Sequence, residues 1–309
     1  MTHILALTGG VGGAKLVVGL CSLLSQKDLT VVVNTGDDEE FFGFHVSPDI
    51  DTVMYNLAGI SNTVTGWGIE GESFRMLQRL EKLGVDTWFK LGDLDLATHI
   101  RRTQLLRDGH TLSAATEMMC KTMGIGNAII PMTDGRVRTM IHTTEGSLAF
   151  QEYFVKHKCD PVVTDITYTG AELYGASNAF IDALSVSDIM IFCPSNPFLS
   201  IAPMLALKEV RKRVETFKGH RVVVSPIVAG QAIKGPTAKI LEELGHEVSS
   251  LGVARMYQGM CDTFVIDTTD VEFETDIKQL GMDVCVTDTI MGSLDDKIGL
   301  ARVILEINN

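Results

Sequence analysis

The sequence predicts an α/β protein with a Rossmann-like, mostly parallel sheet that is covered by helices on both faces. Short apolar runs of strand length recur along the chain. Segments of helix length separate the later runs, as the crossover connections of a parallel sheet require. The first strand also passes directly into a glycine-rich turn, which is a common phosphate-binding arrangement.

Length and composition narrow the class of protein. A chain of 309 residues that is 45% hydrophobic can bury a large core, in one domain or two. No charged-then-apolar leader and no apolar run of membrane-spanning length is recognisable, so we expect a cytoplasmic protein without a membrane partner. The net charge of −13 argues against a nucleic-acid partner. Six scattered cysteines without a C-x-x-C pair indicate reduced thiols.

The elements of the sheet fall into two blocks, residues 1–50 and 170–309, which we predict to form a nucleotide-binding core. The predicted strands are Ile4–Leu7, Thr30–Val33, Ile189–Cys193, Arg221–Ser225, Thr263–Asp267 and Val284–Thr287. The predicted helices run from about Gly13 or Ala14 to Leu24 and over Pro203–Thr216, Pro236–Gly245 and Ser293–Ile307.

Residues 51–169 lack this alternation of strands and helices, which predicts an insertion that covers the active-site cleft. Its first part predicts helices without intervening strands, over Thr52–Gly59, Glu72–Leu83, Leu96–Arg107 and Leu112–Met123. Its second part predicts a small β element from the extended pieces Ala128–Met132, Val137–Thr143, Ala149–Lys156 and Val162–Tyr168. No linker rich in Pro, Gly and Ser flanks the insertion, so we expect it to pack against the core.

The turn after the first strand carries Gly9, Gly10, Gly12 and Gly13, followed by Lys15. Glycines let a ligand approach the backbone, and the helix that follows would direct its N–H groups and positive dipole end at a phosphate. Lys15 would add a positive charge or merely begin the helix. The spacing fits neither the P-loop nor the G-x-G-x-x-G fingerprint, which disfavours NTP hydrolysis and NAD binding. The alternative is a tight strand-to-helix turn without a ligand, but the position of the loop after the first strand and before a helix favours the ligand loop.

Acidic residues follow the second strand. Thr35, Asp37 and Asp38 stand at its carboxyl end, where parallel sheets bind ligands, so Thr35 is a candidate substrate contact. Asp49 and Asp51 come just before the next predicted helix. In one interpretation Asp51 is the N-cap of that helix and Asp49 is a favourable charge near its dipole. In the other, the four aspartates supply oxygen ligands to a Mg²⁺ ion. We predict that Asp51 is the cap and that Asp37, Asp38 and Asp49 are metal ligands.

The helical insertion contains one further candidate contact. Lys90 leads into a Gly-Asp turn that could face the cleft, which favours substrate binding. Asp95 is explained by helix capping, and Arg101 and Arg102 by a solvated helix face. His99 is a weak candidate for a general base. No other histidine is close to it in the sequence, and no His or Cys spacing typical of a metal site is present.

Two later strands end in turns that suit a nucleotide. Ser195 and Asn196 lie between two prolines at the start of a helix, which fixes a rigid polar turn. Lys234 and Gly235 precede another helix, where a cation and free N–H groups would meet a phosphate. A plain strand–turn–helix connection is the alternative for both turns.

The segments TGGVGGAKL, NTGDD, SPDIDTV, LGDLDLATHI, SNPFLSI and SPIVAGQAIKGP occur in this order over three-quarters of the chain. As an ordered set they closely resemble the 2-phospho-L-lactate transferase family, and the resemblance runs end to end. It implies a Rossmann-like core, a Mg²⁺ requirement and a role in biosynthesis of the deazaflavin coenzyme F420. The implied reaction moves a phospholactyl or phosphoenolpyruvyl group from a guanosine-diphosphate donor to the ribityl hydroxyl of the deazaflavin Fo and releases GMP.

The resemblance also implies roles for the candidate residues. Asp49 would act at the Fo hydroxyl or its metal, and Lys90 would contact Fo or the transferring phosphate. The glycine loop and the turns at Ser195–Asn196 and Lys234–Gly235 would hold the guanosine diphosphate. A homodimer is expected only because symmetric dimers are the commonest soluble assembly.

The alternative is a non-catalytic regulator that binds nucleotide sugars, as in a related group of proteins with a similar fold and glycine loop. That group usually follows the second strand with a DDGGSSG-like run. This chain has GDDEEFFGFHVSPDID there, which favours the transferase.

Overall fold

A computed structural model describes residues 2–64, 66–232 and 235–307. The strands in these ranges are β1 (Ile4–Thr8), β2 (Leu29–Val33), β3 (Glu39–Phe41), β4 (Phe44–Val46), β5 (Ala128–Pro131), β6 (Arg138–Thr143), β7 (Gly146–Ala149), β8 (Val163–Thr169), β9 (Ile189–Phe192), β10 (His220–Val224), β11 (Ile227–Val228), β12 (Gln231–Ala232), β13 (Thr263–Asp267) and β14 (Asp283–Thr287). The α-helices are α1 (Val11–Leu23), α2 (Pro48–Leu57), α3 (Arg75–Lys82), α4 (Asp93–Arg107), α5 (Leu112–Thr122), α6 (Asn178–Val186), α7 (Ala202–Ala206), α8 (Val210–Glu215), α9 (Thr237–Glu243), α10 (Ser250–Met256), α11 (Glu274–Gln279) and α12 (Leu294–Glu306). Gln26–Asp28 and Thr268–Phe273 are 3₁₀ turns, and Glu152–Lys156 and Pro197–Ile201 are π-helical turns.

The main sheet of the described ranges has seven strands in the order β14-β13-β10-β9-β1-β2-β5, and all neighbouring pairs are parallel. The predicted fold class is therefore confirmed. The six strands predicted for the core are all present, each displaced by no more than one residue at either end. Five of them, β1, β2, β9, β10 and β13, are inner strands, and their continuous apolar runs are explained by burial on both faces. The sixth, β14, is an edge strand and is only half-buried.

Two hydrophobic cores lie on opposite faces of the sheet. In β1, Leu5 and Leu7 belong to one core while Ile4 and Ala6 belong to the other, as the two-residue period of a strand requires. Helix α1 packs against α12 on one face. The contact is close at Gly19, where a Cβ atom would collide with the backbone carbonyl of Lys297.

One part of the predicted small β element is wrong. The run Ala128–Pro131 forms β5, which pairs with β2 in parallel at the edge of the main sheet. It follows helices α2 to α5, which supply the crossover connection that a parallel strand needs. Within residues 51–169, the chain thus contributes a strand to the core sheet.

The rest of the small β element is an antiparallel sheet in the order β7-β6-β8. The predicted extended piece Ala149–Lys156 is also wrong, because β7 ends at Ala149 and a π-helical turn covers Glu152–Lys156. Helical spacing there buries Tyr153 and stacks Phe150 on Phe154.

The predicted helix Pro203–Thr216 is divided into α7 and α8. Glu209 has a φ of +66°, a left-handed conformation that interrupts the right-handed helix. Helix α1 begins at Val11, two or three residues before the predicted start at Gly13 or Ala14.

The six cysteines are free thiols, as predicted, and Cys120, Cys193 and Cys261 are buried. None of the helices in the described part of the chain combines the length and the apolarity needed to span a bilayer.

The strand order positions the functional site. From β1 the chain proceeds to β2 and β5 on one side, and β9, β10, β13 and β14 lie on the other side. The chain therefore leaves the carboxyl ends of β1 and β9 toward opposite sides of the sheet, and we call the position between these two strand ends the crevice. Ligands of open parallel sheets bind in such a crevice.

Candidate active site

The two loops at this crevice are held together by direct contacts. The backbone N–H of Gly9 donates a hydrogen bond of 3.1 Å to Oγ of Ser195. A Cβ atom on Gly12 would lie 2.5 Å from the carbonyl oxygen of Pro194, and one on Gly13 would lie 2.7 Å from Oγ of Ser195. The glycines thus allow the protein's own loops to approach each other, in addition to leaving the backbone open to a ligand.

Helix α1 directs its amino end into the crevice from this loop. Gly10 is its N-cap residue, no side chain caps the helix, and its first turn contains no acidic residue. The first N–H groups of a helix have no partner within the helix, and the dipole makes this end positive. The end of α1 therefore suits a phosphate or carboxylate of a ligand.

Asn34, at the end of β2, holds two carboxyl groups together. Its Nδ2 donates to Oδ1 of Asp37 at 3.1 Å and to Oδ2 of Asp49 at 3.0 Å. Its own Oδ1 accepts a 2.8 Å hydrogen bond from the backbone N–H of Gly36, which fixes the amide orientation. Because an amide is neutral, it joins the two acidic groups without balancing their charge.

Asp49 stands beside the glycine loop. A Cβ atom on Gly9 would lie 3.1 Å from its Oδ2, and one on Gly10 would lie 2.5 Å from its Oδ1. Burial raises the pKa of Asp49 from 3.8 to about 7, with a smaller rise from Asp38, while the Asn34 hydrogen bond opposes the rise. Burial also raises the pKa of Asp37, and Asp49 and Asp38 add to that rise.

Asp38 is held from its other side. Its Oδ2 accepts hydrogen bonds from Nε2 of His45 at 2.9 Å and from Oγ of Ser47 at 2.8 Å. Its Oδ1 is buried and finds no hydrogen-bond partner among the described residues. The same holds for three other polar atoms of this region, Oγ1 of Thr35, Oγ1 of Thr139 and Nδ2 of Asn196. Buried polar atoms are rarely left unpaired, so these four atoms are available to hydrogen-bond a ligand.

The carboxylate oxygens of Asp37, Asp38 and Asp49 are the kind of ligand that a magnesium ion prefers. Burial raises the pKa of Asp37 and of Asp49, and neighbouring carboxylates add to both shifts, which a bound cation would oppose. Over the described ranges, however, no group of three or more His, Cys, Asp or Glu side chains is arranged to hold a metal. Mg²⁺ typically takes one or two carboxylates and completes its shell with water and substrate phosphates.

Comparison with known proteins decides the family. The model of the family described as 2-phospho-L-lactate transferase CofD matches residues 4–290. The chain belongs to this family. A 2-phospho-L-lactate transferase of Methanocaldococcus jannaschii is 38% identical over 98% of this chain and 97% of its own length. A phosphoenolpyruvate transferase of Streptomyces griseus is 37% identical over 99% of this chain and 98% of its own length.

The fold is shared more widely than the sequence. A crystal structure of a UPF0052 family protein from Bacillus halodurans covers 98% of this chain and 98% of its own, with a TM-score of 0.65. Only 12% of the residues are identical, so this likeness concerns the fold alone.

In this CofD family member, Asp51 has a different role from the predicted N-cap. Helix α2 begins at Pro48 after Ser47, and Asp51 forms a salt bridge with both terminal nitrogens of Arg102. Nδ1 of His99 lies 3.6 Å from Oδ2 of Asp51. The prediction of a solvated face fails for Arg102, which is fully buried, because α4 turns this face toward α2.

Asp95 is not a helix cap either. It is buried, accepts a 2.6 Å hydrogen bond from the hydroxyl of Tyr55, and lies 3.3 Å from Nε2 of His99. Gly92 occupies the N-cap position of α4, where the carboxylate of Glu72 accepts from the backbone N–H groups of Leu94 and Asp95. His99 therefore belongs to a buried network behind α2, and its neighbours there are protein groups.

Two further residues of this CofD family member that were predicted to bind substrate, Lys15 and Asn196, make hydrogen bonds within the protein. Nζ of Lys15 donates to the carbonyl of Met291 at 2.7 Å. Oδ1 of Asn196 accepts from the N–H groups of Phe198 and Leu199, which caps the π-helical turn that follows.

Lys90 is exposed, directly after Phe89. Gly235 lines a separate open cleft of about 440 Å³ together with Lys158 and Lys239, and no carboxyl group of the crevice lines it. Lys234 lies outside the described residues.

Asn34 is the residue of the site that the sequence analysis missed. The signal that identifies it is its position directly after a buried strand, at the carboxyl end where parallel sheets bind ligands. The amide gives a donor to both carboxyl groups, a role that an aspartate at that position would lack.

Proposed function

We propose that the protein is a Mg²⁺-dependent transferase of coenzyme F420 biosynthesis. It moves 2-phospho-L-lactate, or phosphoenolpyruvate, from a guanosine-diphosphate-linked donor to the terminal ribityl hydroxyl of Fo. The observation that carries the proposal is the position of Asp49, between the glycine loop and Asn34, at the crevice of a chain that belongs to the CofD family.

The arrangement of charges suits this reaction. The acceptor hydroxyl oxygen forms a bond to the phosphorus nearer the three-carbon acid, and the bond from that phosphorus to the bridging oxygen breaks, so that GMP leaves. In the ligand-free protein burial raises the pKa of Asp49 to about 7, and its carboxylate oxygen that does not hold the metal takes the hydroxyl proton. The uncapped end of α1 stabilises phosphate charge, so no protein nucleophile is required.

Magnesium would be held by Asp49 with Asp37 or Asp38, and it would neutralise the donor's phosphates. Gly9, Gly10, Gly12, Gly13, Thr35, Ser195 and Asn196 would surround the donor nucleotide. Lys15 would extend this contact, as would Lys234. Lys90 would contact Fo. We also propose that the enzyme acts in the cytoplasm as a homodimer.

The test is to incubate the purified protein with Fo, Mg²⁺ and either the lactyl or the enolpyruvyl guanosine-diphosphate donor. GMP release and product mass are followed, with a matched sample in EDTA. We expect GMP and a phosphodiester product in equal amounts, lost in EDTA, and the faster donor identifies the three-carbon acid. Tight binding of a UDP-sugar without any product would overturn the proposal in favour of a nucleotide-sugar regulator.

A further inference from the structure

Three aromatic rings meet beside the site, and we call them the aromatic clasp: Phe41, Trp88 and Phe89. Phe41 and Phe89 are stacked face to face, with ring centroids 3.7 Å apart and an interplanar angle of 5°. Trp88 meets both rings edge-on, at 5.4 Å from Phe41 and 5.7 Å from Phe89. Nζ of Lys156 stands 5.5 Å from the Trp88 ring centre.

The clasp lies close to the acidic residues in the chain and in space. Strand β3 leads from Asp38 to Phe41, a distance of roughly 10 Å for three extended residues. Its partner β4 returns to Ser47 and Asp49. Phe89 stands next to Lys90 in the connection between α3 and α4.

A third segment reaches both the clasp and the site. Lys156 ends the π-helical turn whose neighbour Gln151 donates from Nε2 to the carbonyl of Asp37 at 3.1 Å. The rings are thus carried by elements that also fix the acidic loop.

Core packing does not account for these rings. All three are only half-buried, and none belongs to either of the hydrophobic cores. Aromatic side chains normally prefer offset or edge-to-face contacts, with centroids 4.5–7 Å apart, to a face-to-face stack. The Phe41–Phe89 pair therefore departs from the preferred ring geometry, and it does so where both rings are partly exposed to solvent.

The hairpin that carries Phe41 is unusually constrained. Its two turn residues, Phe42 and Gly43, have φ values of +53° and +77°, as a two-residue hairpin turn requires. Nη2 of Arg107 holds the Gly43 carbonyl at 3.0 Å, and Oγ1 of Thr103 accepts from the His45 N–H at 2.8 Å. Helix α4 thus fixes the hairpin backbone, so a change at the clasp involves the rings and the α3–α4 connection.

We propose that Phe41 and Phe89 separate to admit the flat tricyclic ring of the acceptor, with Trp88 as a wall behind it. This inference rests on the proposed function and names the residues that select the acceptor. A ring stacked in the clasp leaves its ribityl chain to extend along the hairpin toward Asp49, where the terminal hydroxyl reacts. The clasp thereby distinguishes a deazaflavin from a free sugar alcohol.

Steady-state kinetics of Phe41→Leu and Phe89→Leu test the proposal. Each change should raise KM for Fo about tenfold, the order of effect seen when a ring loses an aromatic stacking partner. The kcat and the KM for the donor should stay within about threefold, since neither ring touches the reacting atoms. Phe41→Tyr and Phe89→Tyr, which keep the ring, should retain the KM of the unmodified enzyme.

Phe217→Leu is the matched control, because Phe217 is also half-buried but lies before the amino end of β10, whereas the site lies at the carboxyl ends of the strands. It should leave KM for Fo unchanged. Circular dichroism and melting temperature establish that each variant is folded. If one leucine variant is not folded, the other leucine variant provides the test.

Binding can be observed without turnover. Trp67 and Trp88 are the two tryptophans of the chain, so Trp67→Phe leaves Trp88 as the one reporter. Addition of Fo without donor should quench the fluorescence of Trp88. Phe89→Leu should raise the Fo concentration needed for half of that quenching about tenfold.

An unchanged KM for Fo in both leucine variants of an active enzyme would overturn the clasp and leave the proposed function intact. Trp88 quenching by Fo without product from either donor would instead reject the proposed function while supporting the clasp.

Discussion

The Asp49 carboxyl group titrates near neutral pH, because burial raises its pKa from 3.8 to about 7. Between these two values the folded protein binds a proton that the unfolded chain has released. Stability must then fall as pH rises through this window, since the folded state binds more protons than the unfolded state. The residue needed for the proposed chemistry thus destabilises the ligand-free protein at neutral and alkaline pH.

Asp49→Asn removes this charge, and we expect it to abolish turnover while stabilising the protein at pH 8 in EDTA. The gain in unfolding free energy should be about 1–2 kcal/mol, less than the full pKa shift implies, because Asp49 is partly accessible to solvent and its titration is linked to Asp37. The gain should grow from about pH 4 to pH 7 and stay constant above it. Urea unfolding at four pH values measures it.

Asp182→Asn, an exposed change on α6, serves as the control and should show neither effect. Loss of turnover and stability together at pH 8 would assign Asp49 a structural role.

The sequence was sufficient to indicate which acidic residues matter, and insufficient to separate their roles. Asp49 and Asp51 are two residues apart on one helix, so a linear pattern gives both the same features. Their difference arises from α4, which brings the buried Arg102 against Asp51 from 51 residues away. Capping was the wrong explanation for Asp51 and Asp95, because their partners come from other elements.

At the level of elements, α3 and α4 cap each other. Glu72, before α3, accepts from the first N–H groups of α4, and Asp93, in α4, accepts from the N–H groups of Arg75 and Met76 at 3.1 Å. Helix α4 in turn presents Arg102 to α2, the helix that carries Asp49. The glycine before α4 is part of this arrangement, because a Cβ atom on Gly92 would overlap the Glu72 carboxylate.

We expect Glu72→Ala and Gly92→Ala each to lower the free energy of unfolding by about 1 kcal/mol, the usual cost of losing a helix cap. Both changes remove the same cap, one by deleting the carboxylate and the other by displacing it. The double variant should therefore lose about as much as either single variant. Urea unfolding of the four proteins measures the coupling, and additive losses would show that Gly92 acts independently of the cap.

At the scale of the whole molecule, the six core strands and their direction could be predicted because continuous apolar runs separated by helices have few structural solutions. The place of β5 in the main sheet could not be predicted, because a four-residue apolar run such as Ala128–Pro131 does not indicate which sheet it belongs to. The strand order then places the crevice between β1 and β9, where the glycine loop and Ser195 meet. A donor nucleotide bound there would link the two halves of the sheet.

Such a ligand should stabilise the whole protein and not only its loops. With Mg²⁺ and GDP at a hundred times the dissociation constant, we expect a gain of about 2.7 kcal/mol in unfolding free energy, seen as a rise in melting temperature. Ser195→Ala removes the acceptor of the Gly9 N–H, so it should raise the GDP concentration needed for half of that rise. NAD⁺ at the same concentration should have little effect, because the glycine spacing lacks the dinucleotide fingerprint. An equal rise with NAD⁺, or an unchanged GDP response in Ser195→Ala, would place the nucleotide elsewhere than at the β1–β9 crevice.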